Sequence, residues 1–327
     1  MGRQTSATLR CCLLLLTLCS AQWASAAVPD SDPAQQWGEN YFPNTVLINQ
    51  DGQSVRFFDD LIKDKVVAIN FIFTSCTDSC PLETARLRQV QKLLGERVGR
   101  DVFFYSISID PETDTPETLK QYAGKFQVGP GWQFLTGRKD DISQLRQSLG
   151  LFIKGVDDGN TKDHNLSLII GNQGTGRWMK ASPFENPYVL ADRLGKSLHN
   201  WKLASTQTNN QAQATTIRPP SAGEQIYRTR CSSCHTLGDT QHAGRRSIGP
   251  DLLGVNRQRD PAWLKRWLKE PDVMLAEKDP LAMTLYEQYN RLAMPNLRLG
   301  ELEIAAVLGY LQEETDRLQP VQQASVQ

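Results

Sequence analysis

The four cysteines that follow residue 26 form two closely spaced pairs. Cys76 and Cys80 are four residues apart, whereas Cys231 and Cys234 are three apart, with His235 directly after the second. Cysteines that stabilise a small secreted scaffold are usually distributed along the chain. Because these four lie in two short motifs, we interpret them as residues that do chemistry, and the different spacings predict two different kinds of chemistry.

The first pair follows an apolar run and precedes a helix that is predicted to begin at Pro81. Its spacing permits either a strained, reducible disulfide or two sulfur ligands on one metal ion. Thiolates select soft metals, Cu(I) above all, and a neighbouring imidazole would also accommodate Cu(II). Cys80 is expected near the positive end of the helix dipole, which favours its thiolate form.

Two histidines occur in the same part of the chain as the first pair. His164 stands directly before a predicted buried strand, whereas His199 lies in a stretch where a surface position is expected. His164 is therefore the candidate imidazole ligand. The spacing alone leaves a plainer alternative open, namely a Cys76–Cys80 disulfide with His164 as an ordinary hydrogen-bonded loop residue.

The second pair forms the C-x-x-C-H pattern that attaches c-type haem. Its spacing lets both sulfurs reach the two vinyl groups on one haem edge, and the adjacent imidazole of His235 becomes an axial iron ligand. A tetrahedral zinc site needs four ligands, and the sequence has no second C-x-x-C. A thioredoxin-like C-x-x-C would need a βαβ context, whereas this segment is predicted to be helical. The pattern therefore predicts a covalently bound haem c.

The charge balance argues against a partner that is recognised by its charge. The chain has 36 basic and 36 acidic residues, so no nucleic-acid partner is predicted. Its 327 residues are enough for two domains, each with a core of its own.

The N terminus has the pattern of a secretory signal. Arg3 and Arg10 precede nine mainly apolar residues, Cys11–Cys19, and the small residues Ala24–Ala26 follow. This order is typical of a cleaved signal peptide over residues 1–26. Nine residues are too few to span a bilayer. We therefore expect a periplasmic protein without a transmembrane span in its mature form, and a lipid or membrane anchor is disfavoured.

A polar, amide-rich stretch at 204–223 divides the rest of the chain. The predicted organisation is a signal peptide at 1–26, a first domain at 38–200, a linker at 201–220 and a second domain at 221–318. In the first domain, strands and helices are predicted to alternate over 66–73, 81–95, 102–109, 115–126 and 166–171. In the second, helices are predicted to begin at a capping box, 221–224, and to cover 261–270 and 299–314. The expected fold class is an α/β domain followed by a small all-α domain.

Three segments of the first domain resemble the SCO/SenC family, which consists of thioredoxin-fold proteins that help to build the dinuclear copper centre of cytochrome c oxidase. The segments are FTSCTDSCP (73–81), SISIDPETDTPETLKQYA (106–123) and DHNLSLII (163–170). The resemblance implies that Cys76, Cys80 and His164 bind copper as Cu(I) or Cu(II). The Asp-Pro-x-x-Asp-Thr-Pro element of the family also matches residues Asp110–Pro116.

The second domain resembles a class I cytochrome c. Its IGPDLLGV stretch (248–255) contains the pattern Gly-Pro-x-Leu-x-Gly. By this resemblance, the carbonyl of Pro250 should accept a hydrogen bond from the ring of His235 and so orient it.

The resemblance also implies Met294, in AMPN, as the second axial ligand of the haem iron. Met274 and Met283 are expected to pack within or beside helices. His242 is too close in sequence to His235 to reach the opposite face of the haem.

These features together predict a periplasmic copper chaperone that carries its own one-electron haem. Its partners would be the cytochrome c oxidase subunit with the dinuclear copper site and a redox partner for the haem. One alternative is a thiol-disulfide oxidoreductase, in which Cys76 and Cys80 are the catalytic pair and act on the cysteines of the oxidase subunit. Another is a redox sensor or a plain electron carrier. A metallochaperone is favoured over an enzyme.

Overall fold

The apolar run that the sequence predicts as a buried strand lies inside a mixed sheet. The computed structural model describes residues 38, 41–77, 79–152, 167–200, 220–238 and 248–319. Within these residues, the strands are β1 (Val46–Asn49), β2 (Ser54–Arg56), β3 (Val66–Ile72), β4 (Val102–Ser108), β5 (Trp132–Gly137), β6 (Leu168–Asn172) and β7 (Arg177–Ala181). They form a seven-stranded sheet with the order β2-β1-β5-β4-β3-β6-β7.

The middle of the sheet is parallel and its flanks are antiparallel. β3, β4 and β5 run in the same direction, and β6 pairs with β3 in the opposite direction. Every residue of β3 is buried, as expected for a strand whose two faces are both covered. Since successive side chains point to opposite faces, Val66 and Ala68 belong to one apolar cluster, and Val67 and Ile69 belong to the other.

Helices cover both faces of this sheet. They are α1 (Ser79–Leu94), α2 (Pro116–Lys125), α3 (Lys139–Ser148) and α4 (Pro187–Asp192), with helical turns that extend α4 to Asn200 and a further helical segment at Phe57–Ile62. Leu87 of α1, Leu119 of α2 and Leu190 of α4 pack on one face. Leu61 and Leu145 pack on the other. The first domain is therefore a helix–sheet–helix sandwich, as predicted.

The local signals set most element ends correctly. Thr115 caps α2, since its Oγ1 accepts a hydrogen bond from the amide of Thr118 at 3.2 Å, and Pro116 follows at the first helical position. α1 begins at Ser79, two residues before the predicted start. Cys80 therefore lies within the first turn of the helix. The strand predicted from Leu166 is described from Leu168 onward, and Leu166 itself lies outside the described residues.

The described part of the second domain is helical. Its helices are α5 (Ala222–Ile226, continued by the helical turn Tyr227–Cys231), α6 (Val255–Gln258), α7 (Pro261–Lys269), α8 (Pro271–Ala276), α9 (Pro280–Gln288) and α10 (Glu301–Leu318). Ser221 caps α5 by accepting from the amide of Glu224 at 3.1 Å. These observations confirm the predicted all-α second domain.

The core of the second domain is the contact between its first and last helices. Ile226 and Tyr227 pack in one cluster with Ile304 and Val307 of α10. At the crossing, a Cβ on Gly223 would lie 2.0 Å from the carbonyl oxygen of Ala306. Glycine is therefore required for the two helices to approach this closely.

The predicted signal peptide lies outside the described residues. Of the helices between residues 38 and 319 that the structure describes, none combines the length and the apolar character needed to cross a bilayer.

Candidate functional site

The loop that carries the first cysteine pair is held by a buried carboxylate. Asp114 is fully buried and accepts hydrogen bonds from the amide of Thr74 at 3.1 Å, from the Thr74 hydroxyl and from Ser108 Oγ at 2.6 Å. Thr74 follows β3 and Ser108 ends β4, and the carboxyl ends of these parallel strands are adjacent. Asp114, the second aspartate of the Asp-Pro-x-x-Asp-Thr-Pro element, therefore ties the loop before Cys76 to the neighbouring strand.

The two thiols of this pair are in contact and differ in exposure. No disulfide joins them; Cys76 is half-buried and Cys80 is fully buried. A hydrogen bond with the Cys76 thiol, followed by burial, raises the pKa of Cys80 far above its ordinary value. The expectation that the helix dipole makes Cys80 a thiolate is therefore wrong for the dithiol form, because contact with the second thiol and burial outweigh the dipole.

A buried glutamate next to the pair was not anticipated. Glu83, one helical turn after Cys80, is 1% exposed, and burial raises its pKa to about 8 despite the neighbouring side chain of Asn70. Negative charge on Cys76 is a smaller cause of the same upward shift in the pKa of Glu83. Glu83 lies three residues after Cys80 and four before the apolar Leu87, so it shares the buried face of α1 with both, and this spacing is the signal that could have identified it.

The predicted imidazole ligand, His164, lies outside the described residues. Among the residues that are described, no group of three or more histidines, cysteines and carboxylates is placed to hold a metal ion. His199 lines a depression with Val66, at the amino end of β3. His199 therefore lies at the opposite end of that strand from Cys76 and is not a candidate copper ligand.

The second pair lies where α5 ends. The amides of Cys234 and His235 both donate to the carbonyl of Cys231, at 3.1 Å and 3.0 Å, which folds the motif into a tight turn. His235 Nδ1 lies 2.8 Å from the carbonyl oxygen of Pro250, the hydrogen bond that the sequence predicts. Because a carbonyl can only accept, Nδ1 carries the proton and Nε2 is left as the ligand atom. Burial lowers the pKa of His235, which favours this neutral ring.

Both cysteines and His235 line a single cavity. Met294 lines the same cavity, whereas Met274 and Met283 are not among its described lining residues. His242 lies outside the described residues.

The cavity has the chemistry that a haem c requires. Its accessible surface is mainly apolar, and it combines two thiols, an oriented imidazole and a thioether. A Cβ on Gly249 would lie 2.7 Å from Cε1 of His235, so this glycine makes room for the ring. Cys231, Cys234, His235 and Met294 would hold the haem, which would supply one-electron transfer.

The chain was compared with known families and proteins. The SCO1/SenC family model matches residues 34–199, and the cytochrome c family model matches residues 220–314. The SCO1 protein homolog of Bacillus subtilis is 41% identical over 90 residues, which are 27% of this chain and 45% of that protein. An SCO2-like protein of Rickettsia prowazekii is 31% identical over 138 residues, which are 41% of this chain and 65% of that protein.

Among solved structures, the cytochrome c domain of a Pseudomonas putida protein is 72% identical. It covers 30% of this chain and 91% of that chain, with a TM-score of 0.28. The chain spans about half the length of the curated relatives that it matches. Since the first family model covers just over half of the 327 residues, the chain belongs to the SCO1/SenC family, and it carries a cytochrome c domain after its thioredoxin-like domain.

Proposed function

We propose that this protein delivers copper during assembly of the dinuclear copper centre of cytochrome c oxidase, and that a haem on the same chain exchanges single electrons with the copper site. The observation that carries the proposal is the contact between Cys76, on a loop that Asp114 holds at the carboxyl edge of the sheet, and Cys80, in the first turn of α1. Membership of the SCO1/SenC family supports it.

The arrangement of the two thiols suits a metal cargo that must be released. Two sulfurs in contact form a soft donor pair that selects Cu(I), and the imidazole of His164 would add the ligand that Cu(II) prefers. Cys80 is buried, whereas Cys76 is half-buried at the loop. A thiol of the receiving subunit can therefore approach the metal on the Cys76 side and replace one ligand at a time.

Electron counting favours copper over a disulfide as the partner of the haem. A haem and a Cu(II)/Cu(I) couple each exchange one electron, whereas a disulfide takes two. Thioether ligation raises the potential of a haem, and protein dithiols lie at roughly −120 to −270 mV. A haem with Met294 as ligand would therefore be a poor reductant for a Cys76–Cys80 disulfide, but it could change the valence of copper by one electron.

A thiol-disulfide oxidoreductase is the second candidate, and one observation favours it. The two thiols are already in contact, with an accessible Cys76 and a buried Cys80. This is the arrangement of an attacking and a resolving cysteine. The catalytic pair would then be Cys76 and Cys80, acting on the cysteines of the oxidase subunit.

The two candidates differ in their need for His164. We expect His164→Ala to weaken Cu(II) binding, tenfold for each ~1.4 kcal/mol of lost ligation, and to leave disulfide exchange with a model peptide unchanged. The matched control is His199→Ala, since His199 lies at the other end of β3. Cu(II) retention is followed by the thiolate charge-transfer absorption. Unchanged copper binding together with lost exchange would reject copper delivery in favour of the oxidoreductase.

Export to the periplasm is part of the proposal. Covalent haem attachment to c-type proteins follows secretion, so deletion of residues 1–26 should give colourless protein. The measurement is a haem stain on a denaturing gel beside the full-length chain. A covalent haem in the shortened, cytoplasmic chain would contradict this location.

A further inference from the structure

An arginine on α1 is buried, although arginine is rarely buried without partners. Arg86 is 3% exposed. Its Nη2 donates to the carbonyl of Arg228 at 3.0 Å and also to the carbonyl of Thr229. Its Nη1 lies 3.3 Å from Oε1 of Gln89. Both carbonyls belong to the cytochrome c domain, so the charge of Arg86 is satisfied mainly across the boundary between domains.

Gln89 continues the same contact. It lies three residues after Arg86, on the same face of α1, and its Nε2 donates to the carbonyl of Ser232 at 2.7 Å. The three carbonyls lie where the helical segment that contains Cys231 ends. Carbonyls in the last turn of a helix receive no hydrogen bond from the backbone amides of that helix and form the negative end of its dipole. A guanidinium with several donors is well suited to bind them.

Apolar contacts lie beside these hydrogen bonds. Ile248 of the cytochrome c domain is 9% exposed and belongs to the same apolar cluster as Phe73 and Cys80. Cys234 and Leu292 pack against that cluster. The polar contacts at Arg86 and Gln89 are therefore continuous with an apolar contact that reaches from the first cysteine pair to the second.

The thioredoxin-like domain also supplies part of the haem cavity. Pro81 and Leu82, in the first turns of α1, and Phe126, directly after α2, line the cavity together with His235 and Met294. The wall of the cavity on this side thus comes from the other domain, and it begins one residue after Cys80.

We propose that Arg86 and Gln89 form a clamp that docks the cytochrome c domain onto the thioredoxin-like domain, so that Pro81, Leu82 and Phe126 close the haem cavity. The clamp consists of hydrogen bonds to backbone carbonyls, which water can replace, and contacts between domains of one chain are usually reversible. The docked state therefore shields the haem edge from water, and release of the clamp exposes it. The inference rests on the haem-binding part of the proposed function and is independent of copper delivery.

The test compares Arg86→Gln with Arg88→Gln in the haem-loaded chain. Arg88 is on the same helix, but its Nε donates to the carbonyl of Gln127 at 2.7 Å, within the thioredoxin-like domain. Backbone ¹⁵N relaxation of the reduced protein gives a rotational correlation time for each domain. We expect one shared value in the wild type and in Arg88→Gln, and two shorter, different values in Arg86→Gln. Independent tumbling in the wild type, or shared tumbling in Arg86→Gln, would overturn the proposal.

A second readout tests closure of the cavity. Burial is one of the properties that set the potential of a haem. We expect Arg86→Gln to lower the potential relative to Arg88→Gln, since water reaches the haem edge, while the absorption bands of the axial ligands stay unchanged. An equal potential in the two variants would contradict closure. If Arg86→Gln does not fold, Gln89→Ala keeps the guanidinium of Arg86, removes the bond to Ser232 and the contact of Gln89 with Arg86, and should shift both readouts in the same direction. Neither measurement involves copper or an oxidase, so failure here is distinct from failure of the copper-delivery proposal.

Discussion

The two cysteine pairs use the same side chain in opposite ways. Cys76, on the loop that follows β3, contacts Cys80, in the first turn of α1, and only the Cys76 thiol is partly exposed. Cys231 and Cys234 line a cavity beside an imidazole that a backbone carbonyl orients. Two thiols that contact each other, one of them partly exposed, suit a ligand that must be released. Two thiols that line a cavity suit a group that stays bound. The surroundings, more than the thiols, separate the two chemistries.

The sharpest test of this comparison is to remove one pair and assay the other site. Replacement of both Cys231 and Cys234 by alanine should abolish covalent haem, because no thioether can form, and should leave copper binding at Cys76 and Cys80. Covalent haem is measured on a denaturing gel, and copper is measured by titration. The reciprocal variant, with Cys76 and Cys80 replaced by alanine, should keep its haem and lose copper. Loss of both cofactors in either variant would refute the independence of the two sites.

Substitution of Met294 provides a further test of the haem cavity. Met294→Ala should abolish the near-infrared sulfur-to-iron absorption band and lower the reduction potential, since thioether ligation raises it. The control is Met283→Ala, which removes a methionine on α9 that is not among the described lining residues of the cavity. A loss of the band in Met283→Ala, with the band retained in Met294→Ala, would show that the axial ligand is Met283.

Substitution of Asp114 tests whether copper binding at Cys76 and Cys80 depends on the hydrogen bonds that hold the loop before Cys76. Asp114→Ala removes the acceptor that links Thr74 to Ser108. We expect the free energy of unfolding of the thioredoxin-like domain to fall by about 3 kcal/mol, because buried hydrogen bonds to a charged group are lost. Copper affinity should fall with it, and the haem spectrum should not change. Denaturant unfolding provides the measurement, and Asp110→Ala is the control in the same loop. Equal stability of the two variants would contradict a holding role for Asp114.

The last prediction concerns how the stability of the protein changes with pH, which we expect to depend on Glu83. Burial raises its pKa from about 4.5 in the unfolded chain to about 8 in the folded protein. The folded state therefore holds this proton more tightly. Its contribution to stability is complete below about pH 4.5 and is lost as the pH rises toward 8, with a slope of at most about 1.4 kcal/mol per pH unit.

Glu83→Gln should therefore flatten the stability of the reduced, copper-free protein between pH 5 and 8. The measurement is urea unfolding at several pH values, with the exposed Glu117→Gln as the control. A pH slope in Glu83→Gln equal to that of the wild type would show that another group is responsible.

The parts of the fold that could be predicted are those with strong local signals. Apolar runs identified β3 and β4, and Thr115-Pro116 identified the start of α2. The strands β1, β2, β5 and β7 were not predicted, because pairing with neighbouring strands stabilises them more than any pattern of their own.

At the candidate sites, too, the features with a local sequence signal could be predicted, and those set by tertiary packing could not. The hydrogen bond from His235 to Pro250 could be predicted because each residue belongs to a pattern shared with class I cytochromes c. The protonation of Cys80, the burial of Glu83 and the contacts of Arg86 could not be predicted. Each depends on residues that are brought close by tertiary packing, up to 143 positions away in the case of Arg86 and Thr229.

The contact between Gly223 and Ala306 has a consequence for the order in which the protein matures. α5 precedes α10 by most of the length of the second domain, so the packing of Gly223 against Ala306 cannot form until α10 has been synthesised. Cys231, in the turn that continues α5, and Cys234 therefore remain without this packing partner while the residues between the two helices are added to the chain.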